Sequence, residues 1–385
     1  MKISKNIYLK EFKYNKNLKI ISILKKLIKE KNPVISSLGK SYVYSYNRKF
    51  LNKLKKYPKI NLIGMGGSSL GAKSIYNFFK KRIKKEFNFY DDLSLKKQRN
   101  KKTKNLLNLI ISKSGNTIET IVNANILIKK KDRNIFITEN KDSYLYLLAE
   151  KLKAEIIHHN NYIGGRYSVL SEVGMLPAEL MGLNPNKFKQ LNSIIKNTKF
   201  LNTLTSSVAS SLYFIKQNKY NSIIINYDEN SENLFKWYQQ LVAESLGKAG
   251  KGILPIVSTM PRDNHSVMQL YLDGFKNNFY TFFYVSGDKS GSINNSSILY
   301  SKNYLKNKNL NNIIFAQKEA TENVFRKKNI PFRSFEIKKR DEKTLGELFC
   351  FFILETILIG KALNINPFDQ PAVELIKKET KKLLT

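Results

Sequence analysis

The segment Ser112-Lys113-Ser114-Gly115-Asn116-Thr117 sets three hydroxyls, one ammonium and a glycine within six residues. It follows an apolar run, Leu106 to Ile111, that reads as a buried strand. It precedes a stretch with helical spacing of apolar residues, Ile118 to Ile128. Backbone N–H groups and the positive end of a helix dipole converge in such a turn, which suits a phosphate. Turns of this kind are common and many hold nothing, so the segment alone leaves the question open.

Five further segments carry groups able to do chemistry. Gly64 to Gly71 is a glycine-rich turn after the strand Lys59 to Ile63. Its spacing is not the dinucleotide fingerprint, and no acid closes the second strand to hold a ribose, which disfavours a nicotinamide cofactor. Its plainer reading is tight strand–helix packing. Two small-residue turns at the carboxyl ends of strands favour one ligand bearing a phosphate and hydroxyls. Arg166 follows two glycines in Gly164-Gly165-Arg166-Tyr167-Ser168 and is either a surface arginine or a guanidinium held near a developing negative charge.

Glu244 ends a helix that starts near Glu232, with Gly247 placed as its stop. A carboxylate there lies at the unfavourable end of the helix dipole, which suits a general base. The plainer alternative is an exposed glutamate pairing with Lys248 at i,i+4. Only three histidines exist. His158 and His159 adjoin at a strand end and look incidental, whereas His265 follows a turn and opens a helix, where it could serve as an acid/base near neutral pH. Asn366 to Glu374 is a proline-bracketed turn holding Gln370, and it leads into a helix with Lys377, which composition alone reads as one more lysine of a basic tail.

The elements that must position these groups alternate. Strands are expected at Lys59 to Ile63, Leu106 to Ile111, Asn134 to Thr138 and Glu155 to His158, then at Ser222 to Asn226, Phe279 to Val285, Asn312 to Ala316 and Phe332 to Ile337. Helices lie between them, which predicts parallel sheets covered on both faces. Residues 1 to about 55 read as helices and polar connections, Asn186 to Asn197 and Thr203 to Asn218 as helical, and Ser286 to Asn311 as an irregular loop. Glu342 to Leu384 reads as helical except at Asn364 to Pro371. The fold class is α/β, divided as 1–50 N-terminal helical segment, 51–190 first α/β domain, 191–345 second α/β domain and 346–385 C-terminal helical segment.

Composition narrows the function classes. No apolar run is long enough to span a bilayer, and Met1 to Asn17 lacks the pattern of a signal peptide. One cysteine, Cys350, excludes an internal disulfide and fits a reducing cytoplasm. The formal net charge of +37 would ordinarily point to nucleic acid or an anionic membrane. Yet only nine of the 67 basic residues are arginine, and the lysines spread along the chain with asparagine and isoleucine. These three share A/T-rich codons, so base composition accounts for the excess. No dedicated nucleic-acid binding is expected.

Taken in order, IGMGGSSLG, ISKSGNTIET, GGRYSVLSEVG, AESLGKAGKGILPI, RDNHSVMQLYLDG and NPFDQPAVELIKK resemble the motifs of the phosphoglucose isomerase family, over residues ~58 to 378. The resemblance implies two sugar-isomerase (SIS) domains of flavodoxin-like αβα form, a homodimer, no metal or organic cofactor, and interconversion of glucose 6-phosphate and fructose 6-phosphate. By the same resemblance Ser112, the Lys113 backbone, Ser114 and Thr117 hold the phosphate, and Gly67 and Ser68 line the sugar. Glu244 is the base between C2 and C1, and Arg166 stabilises the cis-enediolate. His265, reaching in from the partner subunit and oriented by Glu119, opens the ring with help from Lys377, while Gln370 positions the sugar chain. Ala372 departs from the family's usual glycine. A broader phosphosugar isomerase that also takes mannose 6-phosphate, and a sugar-phosphate sensor without catalysis, are the competing readings.

Overall fold

The apolar runs pair as the alternation predicts. In the computed structural model, which describes residues 1–10, 12, 18–94, 105–288 and 290–385, ten strands form two five-stranded sheets. Part of the N-terminal stretch read for a signal peptide, residues 11 and 13–17, lies outside the described residues. The strands are β1 (Ile7–Lys10), β2 (Lys59–Gly64), β3 (Glu86–Tyr90), β4 (Leu106–Ile111), β5 (Arg133–Thr138), β6 (Glu155–His158), β7 (Asn221–Asn226), β8 (Leu254–Thr259), β9 (Asn278–Val285) and β10 (Phe332–Ile337). The first sheet has the order β3-β2-β4-β5-β6, all parallel. The second has the order β1-β10-β9-β7-β8 and is parallel except for β1, which runs antiparallel to β10.

A row of amides fixes the register of the first sheet. Asn88, Asn61, Asn108 and Asn134 stand opposite one another on four neighbouring strands. Asn61 Nδ2 donates to Asn108 Oδ1 at 3.0 Å, and Asn108 Nδ2 to Asn134 Oδ1 at 2.8 Å. Asn134 Nδ2 passes the chain to the Lys129 carbonyl at 2.9 Å. Any slip by one residue would bury these amides unpaired, at about 1–3 kcal/mol each.

Two long helices join the sheets. Glu232–Leu246 packs against the helix Leu70–Phe78 of the first unit and against β8 of the second. Glu342–Ala362 is buried over nearly its whole length and holds the lone thiol, Cys350, in the core, where burial pushes it up to about 12. A buried ion pair, Arg333 to Glu355, ties that helix to β10.

The structure corrects the sequence reading in three places. Asn312 to Ala316 is not a strand but part of the helix Leu310–Lys327, which Asn309 opens with a reciprocal cap to Asn312. The N-terminal segment is not wholly helical, because β1 extends the second sheet. The stretch Asn186 to Asn197 is broken into two single turns, Pro185–Phe188 and Leu191–Ile194. Among the described residues no helix is long and apolar enough to cross a membrane.

Candidate active site

Glu244 leaves the last turn of the Glu232–Leu246 helix, and Gly247 stops that helix as its spacing predicts. Lys248 does not pair with it. That ammonium instead reaches the Asn366 and Asp369 carbonyls, both at 2.6 Å, and the Asp369 carboxylate at 2.9 Å. Glu244 is thereby left to two other donors. Gln240 Nε2 donates to its Oε1 at 2.8 Å, and Arg166 Nη1 to its Oε2 at 3.2 Å. The carboxylate is held in one orientation while remaining 27% exposed.

Arg166 is fully buried and uses every face of its guanidinium. Nε donates to Ser245 Oγ at 2.8 Å, Nη2 to the carbonyls of Pro367 at 2.8 Å and Asp369 at 3.0 Å, and Nη1 also to Gln370 Oε1. The arginine therefore joins the base to the proline-bracketed turn, which the sequence places 201 residues away at Pro367. Tyr167 supports it, with its hydroxyl 2.7 Å from Ser245 Oγ and donating to Pro367 O at 2.9 Å. Trp237 Nε1 donates to the Arg166 carbonyl at 3.1 Å.

Gly67 positions this loop by having no side chain. A Cβ there would lie 2.1 Å from the Gly165 carbonyl carbon and 2.6 Å from the Arg166 nitrogen, so the two backbones touch. Gly67 is buried, and Ser68 beside it is half-buried in the short helical turn Gly66–Ser68. Since Gly64 on β2 stands opposite Ile111 on β4, the glycine-rich turn and the hydroxyl turn leave the first sheet side by side.

In the hydroxyl turn, Ser112 Oγ and Thr117 Oγ1 share a hydrogen bond at 2.9 Å, and Gly115 N donates to Ser112 Oγ at 3.2 Å. Gly115 has φ +68°, and a Cβ would lie 2.0 Å from Ser143 Oγ. Ser114 Oγ accepts from Asn116 N at 3.3 Å. The helix Ile118–Leu127 opens there with no side-chain cap, so its first-turn N–H groups face the turn. Lys113 does not supply the charge. Its ammonium lies 3.6 Å from the Glu139 carboxylate, while its carbonyl accepts from Glu139 N at 3.2 Å. His159, read as incidental, is buried beside these groups, and burial pushes its imidazole down to about 4.

The structure thus brings together Arg166, Glu244, Gln370 and Gly67, and separately Ser112, Lys113, Ser114 and Thr117. It does not bring the remaining expected residues to Glu244 within one chain. Glu119 is half-buried in the first turn of the Ile118–Leu127 helix. His265 is exposed in the short turn Arg262–His265. Lys377 pairs with Glu374 at 2.6 Å on the helix Val373–Leu384, none of whose residues is buried. Among the described residues no hydrogen bond joins Glu119 to His265.

Sequence reasoning missed Gln240, Ser245 and Tyr167. Gln240 had a signal, since it stands four residues before Glu244 on one helix face. No group of side chains able to hold a metal ion occurs among the described residues.

Comparison with known proteins gives the family and the fold. The phosphoglucose isomerase family model matches residues 52–254. A probable glucose-6-phosphate isomerase of Methanococcus maripaludis is 32% identical, over 96% of this chain and 88% of the relative. The chain belongs to the phosphoglucose isomerase family. The glucose-6-phosphate isomerase of Methanocaldococcus jannaschii is likewise 32% identical, over 87% of this chain and 86% of the relative. Among solved structures, a hypothetical protein from Thermus thermophilus shares the fold with a TM-score of 0.80 at 22% identity, covering 95% of this chain and 94% of that one. A glucose-6-phosphate isomerase from Chlamydia trachomatis shares it with a TM-score of 0.70 at 18% identity, over 97% of this chain and 76% of that one. The expected pair of SIS-type α/β units is therefore the fold of this phosphoglucose isomerase family member.

Proposed function

We propose that this chain interconverts glucose 6-phosphate and fructose 6-phosphate through a cis-enediolate, in glycolysis and gluconeogenesis. The observation that carries the reading is the carboxylate of Glu244 gripped between Gln240 and the buried Arg166. Moving a hydrogen between adjacent carbons needs a carboxylate at a fixed angle, and the enediolate that forms needs a cation already in place. Arg166 is such a cation, and its bonds to Ser245, Gln370 and two carbonyls keep it from following the substrate. Glu244 takes the proton from C2 and returns it at C1. Gln370 positions the sugar chain, and Gly67 and Ser68 line it.

The sugar's phosphate sits in the turn Ser112–Thr117, held by hydroxyls and by the uncapped helix start. Pairing of Lys113 with Glu139 supports a contact through the Lys113 backbone and not its side chain. Remote phosphate binding lends the energy that aligns C1 and C2 with the base.

Ring opening belongs to His265, assisted by Lys377 and oriented by Glu119 of the other subunit. Arg262 lies 3.8 Å from Glu232 at the start of the helix that ends at Glu244. Twelve residues of helix separate those two glutamates by about 18 Å. That span supports a homodimer in which His265 serves the neighbouring site. The steps are proton transfers between protein groups and substrate, and a cytoplasmic enzyme of central carbohydrate metabolism is the setting they fit.

The test is an assay of fructose 6-phosphate conversion coupled to oxidation of glucose 6-phosphate, with and without a chelator. Absence of turnover sinks the reading, and loss only with chelator sinks its metal-free part. Turnover of mannose 6-phosphate at a comparable rate would favour the broader phosphosugar isomerase.

A further inference from the structure

A second cavity, of about 870 Å³, lies away from this site. Six cations line it, Lys40, Arg82, Lys187, Lys339, Arg340 and Lys343, against the carboxylates of Asp341 and Glu342. Those carboxylates are already committed. Glu342 accepts from both terminal nitrogens of Arg82, at 3.1 and 3.2 Å. Asp341 caps the Glu342–Ala362 helix through Thr344 N at 2.8 Å. Lys40, Lys187 and Lys339 have no carboxylate within ion-pair distance among the described residues, and Lys343 reaches only Glu347, at 3.9 Å.

Two lining residues, Gln190 buried and Arg340 half-buried, each have a polar atom left over. Arg340 donates through Nε to Asp288 at 2.9 Å and through Nη2 to Asp228, but its Nη1 is buried without a partner. Gln190, only 5% exposed, donates to the Lys187 carbonyl at 2.7 Å, while its Oε1 is buried without a partner. Both atoms are shielded from the cavity itself, so the case for a ligand rests on the unpaired ammonium groups that line it.

The topology sets this cavity apart from Glu244. Arg82 follows the helix Leu70–Phe78, which runs back from the glycine-rich turn to the amino-terminal edge of the first sheet. Lys339 and Arg340 follow β10 at the carboxyl edge of the second sheet. Glu244 lies at the opposite edges of both, because its helix ends just before β8 begins. The cavity therefore bridges the two α/β units on the far side of the molecule.

We propose that this cavity binds a small molecule carrying two or more linked phosphates. Three ammonium groups without carboxylate partners, and a fourth held only loosely, ask for a multiply charged anion. An open cleft of this volume suits a small ligand and not a duplex. This site stands independently of the isomerase reading.

The experiment is calorimetric titration of the full-length protein with ATP and, separately, inorganic pyrophosphate, in about 0.15 M salt, where charges beyond ~8 Å are screened. Both are expected to bind, and Lys187→Gln with Lys339→Gln should weaken binding at least tenfold. A control pair on an exposed turn, Lys130→Gln with Lys131→Gln, should leave it unchanged. ATP binding tighter than pyrophosphate assigns the larger ligand, and equal binding assigns an inorganic oligophosphate. Lys40→Gln with Lys343→Gln repeats the test if the first pair melts early. No binding, equal loss in the control pair, or loss with Ser112→Ala and not with the cavity variants would overturn the proposal, the last by placing the anion in the hydroxyl turn.

Discussion

Arg262 lies 3.8 Å from Glu232, and this contact ties the turn bearing His265 to the start of the very helix whose end bears Glu244. The turn bearing the proposed acid is thus tied to one end of a 15-residue helix, and the proposed base stands at its other end. Such a helix is about 22 Å long, longer than a six-carbon sugar.

Complementation between subunits follows. Glu244→Gln and His265→Ala homo-oligomers should each be nearly inactive. Mixed after partial unfolding, they should regain about a quarter of wild-type activity, because half of random dimers carry one intact site of two. Turnover that stays at the level of the separate variants would show that His265 does not act in trans.

Arg166→Lys should cut kcat by about 100-fold or more with a small change in KM, since a single ammonium cannot satisfy Glu244, Gln370, Ser245 and two carbonyls at once. Steady-state kinetics gives the split. An unchanged kcat with a raised KM would mean that the guanidinium only binds substrate.

Gly67→Ala should lose activity and at least about 1–3 kcal/mol of stability, because the new methyl meets backbone that has nowhere to go. Gly165→Ala is its contrast. A Cβ there would lie 3.7 Å from the Gly67 Cα, an ordinary contact, so that variant should melt near wild type. Thermal unfolding of the two proteins checks the asymmetry.

His159 makes acid stability a local matter. Burial holds its folded value at about 4, below the ordinary 6.5, so the unfolded chain binds more protons between these two pH values. Its contribution is complete above pH 6.5 and is lost as pH falls towards 4, on the order of 3 kcal/mol across the window. His159→Phe should flatten denaturant-derived stability over that interval. An unchanged slope would assign the acid sensitivity to other groups.

Legibility in the sequence followed the sheet positions. Interior strands β2, β4, β5, β7, β9 and β10 are largely buried on both faces, and the sequence shows all six. The three strands it misses, β1, β3 and β8, all lie at sheet edges. An edge strand needs no such burial, and β8 even tolerates Pro255, whose missing N–H would break an interior ladder. The misread run Asn312 to Ala316 is short and apolar, and periodicity over five residues does not separate a strand from a helix turn.

The ordered motifs and the βα alternation by themselves determined the family, the fold class and the candidate groups, because strand runs, helix stops and turn residues are local properties. Only the tertiary structure decided what each group touches. It gave Glu244 to Arg166 and Gln240 in place of Lys248, gave Lys113 to Glu139, and rested Gly67 on Gly165. It also left Lys377 on an exposed helix and His265 in an exposed turn whose Arg262 reaches Glu232, at the end of the helix away from Glu244. The site's pairings, Arg166 to Gln370 among them, join residues up to 204 positions apart, and a sequence's local periodicity carries no term for contacts at such range.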